Sequence, residues 1–195
     1  MNATCDDLLS MHEEYRHDVS NTYELTLARL AISLPNRDIR NTVDALSEWL
    51  KDMNQQYYRF RPTKAATLTE DLEPLMREKL EEILGFRARQ IATLSTSDLG
   101  VVSDLFDAFK SKLGSTGAAK ALHVLAPMFF PLWDNTIASA HGASTESGSG
   151  YFHFMLMRRE DVRRMPTGLE LPDDLSPLKL LDECDYLKYD LGRNH

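Results

Sequence analysis

Cysteine is scarce in this chain, since only Cys5 and Cys184 occur among its 195 residues. They lie far apart in the sequence and form no C-x-x-C pair, so they cannot supply the four thiolates of an iron–sulfur cluster or of a cysteine-rich zinc site. Two reduced thiols are typical of a protein from a reducing compartment. The cysteines therefore predict an intracellular protein in which neither thiol is a ligand.

Long apolar runs are also missing, and none approaches the roughly 18 residues that a membrane span requires. The first residues, MNATCDDLLSMHEEYRHD, lack both the basic region and the apolar region of a signal peptide. We therefore expect a cytoplasmic protein that has no membrane partner.

Basic residues are fewer than acidic residues in this chain. The chain has 30 acidic and 22 basic residues and a formal net charge of −8, which argues against a protein that coats nucleic acid or an anionic membrane through its net charge. Its 43% hydrophobic and 27% charged residues are typical of a globular protein. The length predicts a single domain over residues 1–195, in which a basic surface can only be local.

Common catalytic and metal-binding motifs are absent. His12 and His17 are five residues apart, about 140° around a helix, whereas the histidine pair of a zinc protease is four apart on one face. The sequence has no phosphate-binding glycine loop and no G-x-S-x-G elbow. These absences argue against nucleotide and serine hydrolases, and we predict no metal and no cofactor.

Strand patterns are missing as well, and helical periodicity dominates. It predicts one long helix from about Leu8 to Ile32, a second from about Arg37 to Gln55, and a third that starts at a Thr67–Glu70 capping box and ends at Gly85. Further helices are expected over about 98–113, 118–125, 135–141, 151–165 and 177–189, with a flexible Gly/Ser loop at 142–150. The expected fold class is all-α.

Residues 108–133 contain no acidic residue, and three lysines at 110, 112 and 120 give them a local charge of +3. Within this segment a helix is expected to end at Gly114, and a new one follows after a short turn. Backbone N–H groups at the start of a helix bind anions, so this segment predicts a phosphate contact. A helix–turn–helix connection without a ligand is the alternative interpretation.

Four short motifs follow one another between residues 50 and 142. Gln55 and Gln56 end a helix, LGFRAR (84–89) combines a glycine with an aromatic residue, STGAAKA (115–121) spans the turn, and FPLWDN (130–135) leads into a helix. In this order they resemble the helix-hairpin-helix (HhH-GPD) DNA glycosylases. The first hairpin glycine is replaced by Ser115 and the iron–sulfur ligands are absent, so the resemblance is to a divergent member without the cluster, with its core at about 37–165.

The resemblance implies a compact helical domain with a cleft, in which Asp134 is the catalytic residue. Its carboxylate would stabilise the oxocarbenium-like sugar or orient the attacking water. Aligning Gly117 with the second hairpin glycine puts Ala119 at the position of the family's nucleophilic lysine. Lys120 is then a phosphate or pocket contact and the enzyme is monofunctional, whereas a shift of one residue would make Lys120 a nucleophile. An N-cap role for Asp134 is the alternative, and it is compatible with catalysis.

The resemblance also implies contacts with DNA and a base pocket. The expected DNA contacts are Gln55, Gln56, Arg59, Arg61, Lys112, Gly114, Ser115, Thr116 and Gly117, and the expected pocket residues are Tyr57, Tyr58, Trp133, Asn135, Tyr151 and His153. The mixture of aromatic residues and arginines in QQYYRFRP (55–62) suits base stacking and phosphate contact, and YFHF (151–154) would form a second wall. In both segments, core aromatic residues are the alternative.

The implied partner is double-stranded DNA with a damaged or hypermodified base. The expected protein is a monomer that is associated with the prokaryotic nucleoid when bound. Two roles stay open, namely repair of an altered base and excision of modified phage bases in antiviral defence. A non-enzymatic all-α interaction module, or a module that binds DNA without excising a base, is the alternative function.

Overall fold

The computed structural model describes residues 5–18, 21–144, 147–172 and 175–192. Within these ranges the chain forms helices and no strand, which confirms the all-α class. The helices are α1 (Cys5–Asp18), α2 (Thr22–Ser33), α3 (Ile39–Met53), α4 (Gln55–Arg59), α5 (Pro62–Arg87), α6 (Leu99–Leu125), α7 (Asn135–Ala140), α8 (Gly148–Arg163) and α9 (Pro177–Asp185), which continues as a π-helical turn over Tyr186–Asp190. Two short 3-10 turns, Ile91–Thr93 and Thr96–Asp98, precede α6.

Helix α3 occupies the middle of the fold, with α2, α5 and α6 packed around it. The Asp38 carboxylate caps its first turn by accepting from the backbone N–H of Asn41 at 3.1 Å. Its apolar side chains recur at helical spacing, so that Val43, Leu46 and Trp49 are all buried. The main core extends from α2 to α9, and a smaller cluster around Leu8, Leu175, Leu180 and Cys184 lies between α1 and α9.

Two predicted helix boundaries are wrong. The expected long first helix is two helices, because α1 ends at Asp18 and α2 starts at Thr22, and the two pack against different partners. The expected third helix starts at Pro62 and runs to Arg87, so Thr67 lies inside it and its hydroxyl bonds the Asp71 carboxylate at 3.2 Å. Proline at the first helical position needs no N–H partner, which makes it a favourable start.

The Gly/Ser segment expected to be a flexible loop over 142–150 is only partly a loop. Residues 145–146 lie outside the described residues, and Gly148–Gly150 belong to the first turn of α8. The Ser147 hydroxyl caps this turn by accepting from Gly150 N–H at 3.2 Å. Glycine is required at 148 because a Cβ there would overlap the carbonyl oxygen of Ser103 on α6. Gly148 therefore serves the close packing of α8 against α6, not flexibility.

Helix α6 is interrupted at Gly114, as the sequence predicts. Gly114 has φ +74° and ψ 172°, a backbone conformation that favours glycine, and helical geometry resumes at residue 115. The result is a sharp bend at Gly114, and residues 114–117 are referred to below as the 114–117 turn. Among the described helices, none combines the length and apolar character needed to cross a bilayer.

Candidate functional site

A cleft of about 720 Å³ lies where the end of α3, helix α4, the bend of α6 and the start of α7 meet. Its lining residues are Asp52, Met53, Asn54, Gln55, Gln56, Tyr57, Leu113, Gly114, Ser115, Thr116, Gly117, Lys120, Asp134 and Asn135. Three of the sequence motifs, the glutamine pair, the 114–117 turn and the end of FPLWDN, therefore share one cleft although they are far apart in the chain.

Asp134 lies immediately before α7 and is half-buried at the cleft wall. Its backbone is extended, with φ −130° and ψ −174°, and its Oδ1 accepts a hydrogen bond from the N–H of Ile137 at 2.8 Å. The predicted N-cap is therefore present. This bond fixes the orientation of the carboxylate, because rotating it would leave a backbone donor of α7 without its partner.

Trp133 anchors the residue before the candidate carboxylate. Its indole ring is buried, lies edge-on to Phe106 and Tyr151 at 5.7 and 5.1 Å, and has its Nε1 directed at the carbonyl oxygen of Ser115 at 3.4 Å. The hydroxyl of Tyr151 donates to the carbonyl of Pro131 at 2.7 Å. These contacts fix the FPLWDN backbone against α6 and α8, and so they set the position of Asp134 relative to the 114–117 turn.

Lys120 reaches across the cleft from the second half of α6. Its Nζ donates to the carbonyl oxygen of Met53 and to Oδ1 of Asn54, each at 2.9 Å. Burial lowers the pKa of Lys120, while the nearby carboxylates of Asp182 and Asp134 oppose that shift. The ammonium thus caps the C-terminal end of α3, where carbonyl groups lack helical partners.

Helix α4 presents Gln55, Gln56 and Tyr57 to the cleft. The Nε2 of Gln55 donates to the carboxylate of Asp52 at 3.2 Å, and the Arg61 guanidinium lies 4.4 Å from the centre of the Tyr57 ring. Arg59 and Arg61 are exposed at this end of the fold but do not line the cleft. Between them Phe60 is 76% exposed, an unusual placement for a phenylalanine.

The structure places most of the expected base-pocket aromatic residues in the core. Tyr58, Trp133 and Tyr151 are buried, because their large apolar surfaces pack between helices. Burial raises the pKa of Tyr58 to about 12. His153 is exposed on α8 and does not line the cleft. Of the expected pocket residues, the cleft therefore contains only Tyr57 and Asn135.

Lys112 precedes the bend of α6 and is exposed, with its Nζ 3.9 Å from the carboxylate of Asp71. It does not line the cleft. Its neighbours at 113–117 do, so Lys112 lies one residue outside the cleft wall along the chain.

The sequence patterns did not identify three polar residues that lie near the cleft. Asp52 and Asn54 flank the last residue of α3 and line the cleft beside the glutamine pair. Because they come just before Gln55 and Gln56 in the chain, the sequence could have indicated them. Asp190 bonds the side chain of Thr136 on α7, and its pKa is raised by partial burial and by the charge of Asp134. Asp190 carries no local signal, since it is far from α7 in the chain.

The opposite end of α7 is held by a buried ionic cluster. Arg158 of α8 pairs with Asp185 of α9, and both side chains are only 3% exposed. His141, which follows α7, has its Nε2 2.9 Å from Nη2 of Arg158, and burial together with that cation lowers the pKa of His141 to about 4. Oδ2 of Asp185 lies 3.1 Å from the same Nε2, so the neutral imidazole either accepts from Arg158 or donates to Asp185, depending on its tautomer. In the described ranges, no three His, Cys, Asp or Glu side chains converge as metal ligands would.

No family model, no curated protein and no solved structure matches this chain. The function is therefore inferred from the cleft and from the residues that line it.

Proposed function

We propose that this protein is a monofunctional DNA glycosylase. It would flip a damaged or hypermodified base out of duplex DNA into the cleft and hydrolyse the N-glycosidic bond, leaving an abasic site. One observation carries the proposal: the Asp134 carboxylate lines the same cleft as the 114–117 turn and the Gln55–Gln56 pair. These are the elements to which the family resemblance assigns catalysis, strand contact and duplex probing.

The chemistry requires a negative charge next to the sugar. Breaking a bond between a base and deoxyribose develops positive charge on the sugar ring, and a fixed carboxylate stabilises that charge or orients the attacking water. Asp134 suits this role because its N-cap bond to Ile137 holds the carboxylate in place before substrate binds. A preorganised charge costs no reorganisation during the reaction.

The contacts of Lys120 support hydrolysis without a Schiff base. Its Nζ is held by Met53 and Asn54, and an imine would require it to leave both acceptors. The residue at the family's lysine position, Ala119, is buried and has no nucleophile. Lys120 therefore acts as a cleft contact that fixes the end of α3.

Duplex binding would use the cations next to the cleft in sequence. Arg59 and Arg61 follow the lining residues of α4, Lys64 lies in the first turn of α5, and Lys112 precedes the bend of α6. All four side chains are exposed. Phosphate contacts of this kind position a protein on DNA without reading its sequence. A local cationic surface permits such binding although the whole chain has a net charge of −8.

A base-release assay tests the proposal. The protein is incubated with genomic DNA and with phage DNAs that carry modified bases, abasic sites are cleaved by heating in alkali, and released bases are identified by mass spectrometry. A glycosylase gives alkali-dependent breaks and one class of free base. Binding to duplex DNA with no base released from any of these DNAs would instead support a non-enzymatic DNA-binding module.

A further inference from the structure

The cleft is larger than a flat nucleobase needs. Its volume of about 720 Å³ lies well inside the range of roughly 300–1,000 Å³ that accommodates ligands of drug size. A flipped base that carries only a small lesion would leave much of this space to water. The cleft therefore has room for a substituent attached to the base.

The lining of this space is rich in side-chain amides. Asn54, Gln55, Gln56 and Asn135 provide four amides from three sides of the cleft. Each amide offers both a donor group and an acceptor oxygen. The amide of Asn54 is oriented by its bond from Lys120, and that of Gln55 by its bond to Asp52, so two of the four are already fixed.

Stacking surfaces are scarce in the same space. Tyr57 is the one aromatic ring on the cleft wall in the described part of the chain, and the Arg61 guanidinium already covers it at 4.4 Å. The rings of Trp133 and Tyr151 are buried in the core. Recognition in this cleft must therefore come mainly from hydrogen bonds, which discriminate more strongly than apolar contact when a substrate group is missing.

The charges of the cleft indicate which polar group fits. Asp52 and Asp134 outnumber the single ammonium of Lys120, and Asp190 adds a carboxyl group close to Asp134. An anionic substituent would be repelled by these carboxylates. A hydroxyl group both donates and accepts, so it can pair with amides and with carboxylates, whereas an amine only donates when it is charged.

We infer that the excised base carries a bulky, neutral, hydroxyl-rich substituent of the sugar class, an inference that rests on the proposed function. The amides around the cleft would bind this substituent. Gln56 and Asn135 are the informative members, because they are exposed and lie on two different helices that line the cleft, α4 and α7. They would hold the substituent from both sides, while Asp134 acts at the deoxyribose.

The test uses five duplex oligonucleotides that differ at one base: uracil, 1,N6-ethenoadenine, 5-hydroxymethylcytosine, its β-glucosylated form, and a cytosine with an aminoalkyl group at C5. Base release is followed in single-turnover reactions by mass spectrometry. We expect the glucosylated base to be released at least about 100-fold faster than 5-hydroxymethylcytosine, because the latter lacks the sugar hydroxyls that would form hydrogen bonds with the amides. Gln56→Ala combined with Asn135→Ala should remove most of that preference, and Gln90→Ala, a substitution at an exposed glutamine away from the cleft, should keep it.

Other outcomes separate this inference from the proposed function. Equal or faster release of uracil, ethenoadenine or 5-hydroxymethylcytosine would overturn the inference while leaving a glycosylase in place. Preferential release of the aminoalkyl base would overturn the hydroxyl assignment. Release of no base from any of the five duplexes would overturn the inference, and the base-release assay on genomic and phage DNAs would show separately whether the protein is a glycosylase.

Discussion

The Nζ atom of Lys120 lies 2.9 Å from the backbone carbonyl oxygen of Met53 and donates a hydrogen bond to it. This bond joins the second half of α6 to the last residue of α3, across the floor of the cleft. The same ammonium bonds Asn54, so one side chain fixes two residues of the cleft wall. These two hydrogen bonds give Lys120 a structural role in the site.

Lys120→Met should destabilise the fold. We also expect that Lys120 does not act as a lyase nucleophile in the wild-type protein. Loss of two hydrogen bonds to a charged donor predicts a decrease of about 2–4 kcal/mol in the free energy of unfolding, measured by urea denaturation. Borohydride reduction of wild-type reactions should trap no covalent protein–DNA adduct, because the amine is held by its acceptors. An adduct that forms with wild type and disappears in Lys120→Gln would show that Lys120 is the nucleophile and that the alignment is shifted by one residue.

The buried pair of Arg158 and Asp185 should be much more important for stability than an exposed pair. Asp185→Ala leaves the buried guanidinium with only the more distant carboxylate of Asp161, 3.3 Å from its Nη1, so the free energy of unfolding should fall by about 3 kcal/mol. The matched control is Glu81→Ala, which removes the partner of Arg37 in a pair whose side chains are more than half exposed. That change should stay within about 1 kcal/mol. Equal losses in the two variants would show that Arg158 finds another partner or solvent.

Stability should fall on acidification because of the buried His123 and the partly buried His141. Burial lowers the pKa of His123 and of His141 to about 4, against an ordinary value of about 6.5. Between these values the unfolded state binds more protons than the folded state, so stability is full above about pH 6.5 and is lost as the pH falls toward 4. Each group contributes at most about 1.4 kcal/mol per pH unit in this window.

Urea midpoints measured from pH 7 to pH 4 check this expectation. His123 accepts from the hydroxyl of Tyr23 at 2.8 Å, so His123→Gln should lower stability at pH 7 and flatten the acid-side loss. The control His153→Gln, at an exposed histidine of α8, should keep the loss. A midpoint that does not change between pH 6.5 and pH 4 in wild type would contradict neutral imidazoles at His123 and His141.

Duplex binding should weaken steeply with salt. Replacing Arg59 and Lys112 together by glutamine should weaken binding equally for unrelated sequences and reduce the salt slope of the affinity by about 1 for each lost phosphate contact. Arg77→Gln, at an exposed arginine of α5 away from the cleft, is the matched control. Fluorescence anisotropy over a salt titration measures both quantities. An affinity that is independent of salt, or a double variant that binds like wild type, would show that this basic surface is not the DNA contact.

Local sequence patterns predicted those features of the fold that are determined by a few neighbouring residues. Helical periodicity gave the all-α class, Gly114 marked the bend of α6 because φ +74° favours glycine, and Asp134 gave the N-cap of α7. The prediction of a flexible loop over 142–150 is wrong for Gly148–Gly150, because composition does not distinguish a flexible glycine from one required by a close helix contact.

Features that depend on distant contacts were not predictable from local pattern. Whether Trp133 faces the cleft or the core is decided by its packing against α6 and α8, which no short segment encodes. Asp190 comes close to Asp134 only because α7 packs against the C-terminal turn, about fifty residues later in the chain. The prediction that Gln55 and Gln56 end a helix is wrong, because α3 ends at Met53 and the glutamine pair begins α4.

The rate of base release by Asp134→Asn tests the central claim most directly. Asparagine keeps an oxygen that can accept from the N–H of Ile137, so folding and the thermal midpoint should stay close to wild type, as should DNA affinity. Asp104→Asn, at an exposed aspartate of α6, is the matched control and should keep full activity. If Asp134 supplies the charge that stabilises the sugar cation, its loss should slow single-turnover release by two or more orders of magnitude, about 3 kcal/mol or more. Release at the wild-type rate by a folded Asp134→Asn protein would show that the catalytic acid lies elsewhere.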